Sequence, residues 1–211
     1  MKSAALLLLF LSVVISPLQA EEFRFRVYLG ESEIGWHTFT LIKNNKQIRI
    51  SSNAVFSAKL LGVIPYNYSH KSEEVWSGGC LIEINSRTRD NGTNYTVIGN
   101  ADENGFSLNT SESNQALSGC VRTYAYWNKA YLQSARALLN PQDGIYKNTI
   151  VEFAGKENIF ISGKIKESDK YILINGESEI VLWYGADSGE WLGLESKTRT
   201  GKNLLYKRTG L

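Results

Sequence analysis

Apolar and polar residues alternate one by one over much of this chain. Phe23, Phe25, Val27 and Leu29 interleave with Arg24, Arg26 and Tyr28, the period of a strand that buries one face. Gly30-Glu31-Ser32 reads as a turn into a return strand over 33–43, and Asn44-Asn45 as the turn into 46–56. Tyr66, Tyr68 and His70 then alternate with Asn67, Ser69 and Lys71, and the strand runs on to Trp76. Further strands are predicted near 80–89, 93–99, 104–110, 119–126, 146–154, 158–166, 170–175, 178–185, 190–199 and 203–208. They are bounded by turn clusters such as Asp90-Asn91-Gly92. Strands this frequent predict a mainly β protein built on a curved antiparallel sheet, a half-barrel or open barrel.

One stretch has the helical period instead. Tyr131, Leu132, Ala135, Leu138 and Leu139 share one face, and Lys129, Gln133 and Arg136 take the other. Asn128 suits the N-cap, and Asn140-Pro141 stops the run. The expectation is one amphipathic helix over 128–139, laid against the concave face of the sheet.

The first 20 residues read as a cleavable export signal. Lys2 precedes an apolar and small-residue run from Ala4 to Ile15, and Pro17-Leu18-Gln19-Ala20 suits a peptidase. The run is short for a span of ~30 Å of hydrocarbon. Residues 21–211 would then form a single antiparallel β domain in the periplasm or outside the cell. An integral membrane protein is not expected. The precursor carries 23 Lys+Arg and 21 Asp+Glu; losing Lys2 leaves 22 against 21, a nearly neutral chain. That balance argues against a nucleic-acid partner, which would call for a basic patch.

Export changes the meaning of the two cysteines, Cys80 and Cys120. In an oxidising compartment they are most simply one disulfide, closing a loop worth roughly 4 kcal/mol. Two buried free thiols or a thiol nucleophile are the alternatives. Each cysteine follows a glycine at the expected start of a strand, a placement that suits neighbouring strands.

Chemistry is sparse. There are two histidines, His37 and His70, no metal-ligand spacing, and no phosphate-binding or dinucleotide glycine pattern. Neither a catalytic set nor a cofactor or metal is predicted. Gly185-Ala186-Asp187-Ser188-Gly189 is a hairpin turn, since a nucleophile elbow would need a strand before it and a helix after. The richest constellation is Tyr66, Tyr68, His70, Glu74 and Trp76, all on one face of one strand by period two. Such a stripe suits ligand contact, or acid–base work by His70 and Glu74. With no nucleophile or metal beside it, a half-polar structural wall is the stronger interpretation. His37 shares a face with Phe39 and Leu41 and reads as a core or rim histidine. Tyr124-Ala125-Tyr126-Trp127, Trp183-Tyr184 and Trp191 add an aromatic excess that could line a concavity.

A short internal echo also appears. Trp76 followed by Ser86-Arg87-Thr88-Arg89 matches Trp183 followed by Ser196-Lys197-Thr198-Arg199. The match is short, so two hairpins meeting the same turn requirement explain it better than two related halves would.

Taken together, Tyr68-x-His70-x-x-x-Glu74-x-Trp76, Ser86-x-Thr88-x-x-Asn91-Gly92, Tyr124-Ala125-Tyr126-Trp127-Asn128, Leu138-Leu139-Asn140-Pro141-Gln142-Asp143-Gly144, Leu182-Trp183-Tyr184 and Trp191-Leu192 resemble an uncharacterised family of exported bacterial proteins, a domain of unknown function. The likeness spans nearly the whole mature chain. It implies a single-domain periplasmic or secreted β protein. That family is distantly similar to the half-barrels of periplasmic lipoprotein carriers, which hold helices in a hydrophobic concavity.

The expectation that follows is a non-catalytic binding or carrier module for a hydrophobic or lipid-like ligand. Its candidate contacts are Tyr66, Tyr68, His70, Glu74, Trp76, Tyr126, Trp127 and Trp183. An envelope structural or assembly protein that binds a protein partner is the alternative, and an enzyme the third.

Overall fold

A computed structural model describes residues 19–44, 46–60, 64–176, 178–198 and 201–210. The predicted export segment falls outside them, except that Gln19 and Ala20 open the first strand opposite Lys43 and Ile42. The N-terminal half is an up-and-down run of eight strands. These are β1 (Gln19–Leu29), β2 (Ser32–Lys43), β3 (Ile48–Leu60), β4 (Ile64–Ser77), β5 (Cys80–Asp90), β6 (Thr93–Asp102), β7 (Gly105–Thr110) and β8 (Asn114–Leu117). Residues 118–149 then leave the sheet. They hold a one-turn helix, α1 (Lys129–Gln133), and a small hairpin, β9 (Ala137–Leu139) with β10 (Tyr146–Asn148). The chain returns as β11 (Ile150–Ile161), β12 (Lys164–Asn175), β13 (Ser178–Gly185), β14 (Trp191–Lys197) and β15 (Asn203–Thr209).

The last strand pairs antiparallel with the first, which joins both runs into one thirteen-stranded sheet ordered β11-β12-β13-β14-β15-β1-β2-β3-β4-β5-β6-β7-β8. The sheet does not close on itself; β8 and β11 are its edges. Its curvature follows from the core. β12 and β7 stand ten places apart in strand order, roughly 48 Å in a flat sheet. Yet Tyr171 and Leu173 of β12 share one buried cluster with Phe106 and Leu108 of β7. Val121, Ala125, Leu132, Leu138 and Leu139 of the crossing segment complete that cluster. The segment is the filling of the half-barrel.

Turn chemistry sets the register. Asn91-Gly92 and Ser162-Gly163 both have positive φ at each position (46° and 95°; 48° and 78°), as two-residue hairpin loops of matching twist require. The second corrects an expectation. No turn separates strands at 154 and 158: β11 runs through as one strand with a register shift at Gly155, and the reversal comes at Ser162-Gly163. Likewise 119–126 is no sheet strand. Its alternating Val121, Thr123 and Ala125 are buried, but among the described residues its only ladder contact is an isolated bridge from Thr123 to Leu139.

The helix is also shorter than predicted. It ends at Gln133, where the Ser134 hydroxyl donates to the Ala130 carbonyl (2.6 Å) and Ser134 caps the turn. Such local side-chain bonding competes with helix continuation. Leu138 and Leu139 reach full burial as strand instead, with the Leu139 N–H on the Arg122 carbonyl (2.7 Å). Asn128 does cap the helix, accepting from the Tyr131 N–H (3.2 Å). The disulfide is formed between Cys80 and Cys120. It fastens the start of the crossing segment to β5, beside the Leu81 N–H bond to the Val121 carbonyl (2.9 Å). Among the described residues no helix is long and apolar enough to cross a membrane.

Candidate functional site

Four neighbouring strands put polar side chains on the concave face where apolar ones are the rule. In one row across the sheet, His37 of β2, Ala54 of β3, His70 of β4 and Thr88 of β5 stand side by side. The next row is Phe39, Ser52, Ser72 and Ser86; the next, Leu41, Ile50, Glu74 and Ile84. All of these are buried except Phe39, which is partly so. Period two delivers this arrangement, since 68, 70, 72, 74 and 76 of β4 all turn inward.

The wall is held by short bonds. His37 Nε2 meets Ser52 Oγ at 2.7 Å and His70 Nδ1 meets Thr88 Oγ1 at 2.8 Å. Glu74 Oε2 accepts from Trp76 Nε1 (2.9 Å) and from the Thr123 hydroxyl of the crossing segment (3.0 Å). Ser86 donates to the Pro141 carbonyl at 2.6 Å. Burial then sets charge. It lifts the Glu74 carboxyl to about 7 against the two hydrogen bonds that favour its ionised form. It holds His70 down at about 4, and His37 well below the usual imidazole range, where a charge on His70 would oppose it further. The two imidazoles, 6.2 Å apart between ring centres, are neutral at pH 7.

Between this wall and the crossing segment lies a cavity of about 300 Å³. His37, Ser52, His70, Ser72 and Glu74 form one side; Tyr124, Tyr126 and Trp127 with Asn140–Gln142 roof it, and Asn175, Ile180 and Ser196 close the far side. A second hollow of about 550 Å³ adjoins it past Gln142, which borders both. Its lining is mixed: Leu29, Ile34, Phe56 and Leu204 with the rings of Tyr66, Tyr68 and Tyr206 on one part, and Asp90, Asn91 and Thr93 on another. The half-barrel is therefore packed around Trp76, Leu132 and Leu138 and hollow around His37 and Tyr68.

The structure distributes the candidate residues accordingly. His70, Glu74, Tyr126 and Trp127 border the first cavity, and Tyr66 and Tyr68 the second. Trp76 borders neither; it is a core residue, stacked on Tyr131 with ring centres 5.7 Å apart, that orients Glu74. Trp183 is on the opposite face of the sheet, with Ile161 and Leu192, its indole N–H on Glu157. Sequence reasoning passed over Ser52, Ser72 and Asn175 and read His37 as a core or rim histidine. Ser72 was within reach of the same period-two rule that found His70 and Glu74. Among the described residues no group of three or more His, Cys, Asp or Glu side chains could hold a metal ion.

A curved antiparallel sheet with a polar-walled cavity under a crossing segment defines a half-open β protein with an internal cavity. The family follows from the sequence. The chain belongs to the family described as Domain of unknown function (DUF6134), which matches residues 25–209. No curated protein matches it.

Proposed function

We propose that this protein is an exported, non-catalytic binding or carrier module for a small hydrophobic or lipid-like ligand. The observation that carries the reading is the pair of adjoining hollows on the concave side of the sheet, one walled by buried polar side chains and one with an apolar stretch of Leu29, Ile34, Phe56 and Leu204 in a mixed lining. Their volumes lie in the range of small-molecule sites. The ligand's apolar part lies along Phe56, Tyr68 and Leu204, and its polar end reaches the first cavity. The disulfide and the predicted signal support an oxidising compartment. The half-barrel shape supports the distant resemblance to lipoprotein carriers, as fold analogy only. His70 and Glu74 border one cavity, and each is engaged by buried side chains of the fold, His70 by Thr88 and Glu74 by Trp76 and Thr123. That favours binding over catalysis.

Native mass spectrometry of protein recovered from the compartment where it accumulates tests the reading, together with titration by a neutral solvatochromic dye. Bound lipid-like mass, or saturable dye uptake lost on filling the second hollow with Leu204→Trp, is expected. Folded protein that carries no such mass and takes up no dye would overturn it.

A second reading, an envelope assembly protein, draws on Phe160 and Ile165. They pair across β11 and β12 near the sheet edge and are each 73% exposed. A photo-crosslinker at position 160 that recovers only monomer in cells would count against it.

A further inference from the structure

Three buried atoms on the walls of the first cavity are left without a partner among the described residues: His37 Nδ1, Ser72 Oγ and Asn175 Oδ1. Leaving such a group unsatisfied costs about 1–3 kcal/mol, and polar atoms so placed are normally completed by water or a ligand. They come from both sides of the half-barrel. His37 and Ser72 are on β2 and β4, and Asn175 ends β12 across the concavity, its Nδ2 already given to the Tyr124 hydroxyl. The charged residues bordering the cavity are few. Glu74 stands on the inner wall, and Glu179 and Lys197, one of each sign, are exposed at its outer side. No cation stands on the β2–β4 wall, so a carboxylate seated there would be buried beside Glu74 with no counter-charge. Nor is Glu74 an idle anion: its Oε2 already takes two protein bonds.

We infer that the cavity seats an uncharged hydroxyl head, of the kind carried by a fatty alcohol or a monoacylglycerol, against His37, Ser72 and Asn175. The stereochemistry of hydrogen bonding fits. A hydroxyl donates once and accepts twice. Asn175 Oδ1 can only accept, Ser72 can do either, and His37 Nδ1 takes the role its tautomer leaves. The adjoining hollow receives the chain of such a molecule along its apolar stretch, Ile34, Phe56, Tyr68 and Leu204. Burial that keeps His37 and His70 neutral and raises Glu74 acts in the same direction. This inference rests on the binding reading above and narrows it to one head-group chemistry.

The test is competition for a neutral fluorescent probe, Nile red, on the purified disulfide-bonded protein at neutral pH. The competitors share one alkyl chain and differ in head: alcohol, monoacylglycerol, carboxylate and ammonium. The hydroxyl heads are expected to displace the dye about tenfold better than either charged head. Ser72→Ala should shrink that gap several-fold, with the far-ultraviolet spectrum unchanged. Asn175→Ala, with Tyr124 still free to turn to water, should do the same. If the dye never binds, the binding reading itself falls and this one with it. If it binds but is displaced equally by every head, or best by carboxylate or ammonium, only the hydroxyl assignment is overturned. A hydroxyl preference untouched by both substitutions overturns its placement at these residues.

Discussion

Glu74 concentrates the opposing forces at this site. Its carboxyl is buried on a strand interior, yet two protein donors, Trp76 Nε1 and the Thr123 hydroxyl, meet one of its oxygens. Burial outweighs those bonds and lifts it to about 7 from an ordinary 4.5. Between those values the folded state holds a proton that the unfolded chain has released, so Glu74 alone makes stability fall as pH rises. His70 works oppositely. Held at about 4 against an ordinary 6.5, it binds fewer protons folded than unfolded, so its share of stability rises with pH across that window; His37 has the same sign. Glu74→Gln, which keeps a carbonyl oxygen for Trp76 and Thr123, removes the opposing contribution. Relative to the parent it should gain about 3 kcal/mol from pH 4.5 to above 7. Urea midpoints of both proteins across that range measure it, and parallel curves would show that Glu74 does not carry the proton.

At the scale of elements, residues 118–149 do what neither run of strands can do alone. They bring Val121, Ala125, Leu132, Leu138 and Leu139 to the concave face. They are tied to the first run by Cys80–Cys120 and to the second by Lys129, which reaches Asp169 at 3.4 Å and lies over the Tyr171 ring. Replacing both cysteines by serine should cost roughly 4 kcal/mol on the chain-entropy account. It should also speed amide exchange from 119 to 132 more than in β2 or β3; uniform exchange would mean that the bridge acts only on the unfolded chain. This segment also marks the limit of what the sequence makes legible. Strands, turns and the polar stripe of β4 follow from period two and turn residues, because a half-buried strand writes its faces into alternate positions. The crossing segment is buried on several sides, so its apolar spacing suits a helix or an extended chain equally, and tertiary contacts decide. The cavity was illegible for a similar reason: Ser52, Ser72 and Asn175 are small polar residues whose meaning depends on strands up to several places away. The echo of Trp76 and Trp183 shows a further limit. Both hairpins shift register beside their tryptophan, yet Trp76 faces the concave core and Trp183 the other side.

For the whole molecule, the seam where β15 meets β1 decides whether two runs of strands behave as one body. Arg208 of β15 is its best-placed fastener. It is 6% exposed, donates to the carbonyls of Trp191 (2.8 Å) and Glu22 (3.2 Å), pairs with Glu190 at 2.8 Å and lies over the Phe23 ring at 4.2 Å. Arg208→Met keeps most of the aliphatic packing but orphans two carbonyls. Removing one member of a fully buried pair costs about 3–5 kcal/mol. Glu190 can turn to water, so about 2–3 kcal/mol is expected here, read from the urea midpoint. A loss under about 0.5 kcal/mol, the ordinary range of surface changes, would show that the seam does not depend on this side chain. The form of the transition is the more telling result. The cluster around Trp191 includes Phe23 and Phe25 of β1, Phe39 of β2 and Tyr126 of the crossing segment, so the runs are joined through the core as well as along the seam. Tryptophan fluorescence and far-ultraviolet dichroism should therefore still fall together in Arg208→Met, as one cooperative unit. Two separated transitions would mean that the runs are independent modules held by β15 and β1 alone, and the hollow between them would then open as the seam loosens.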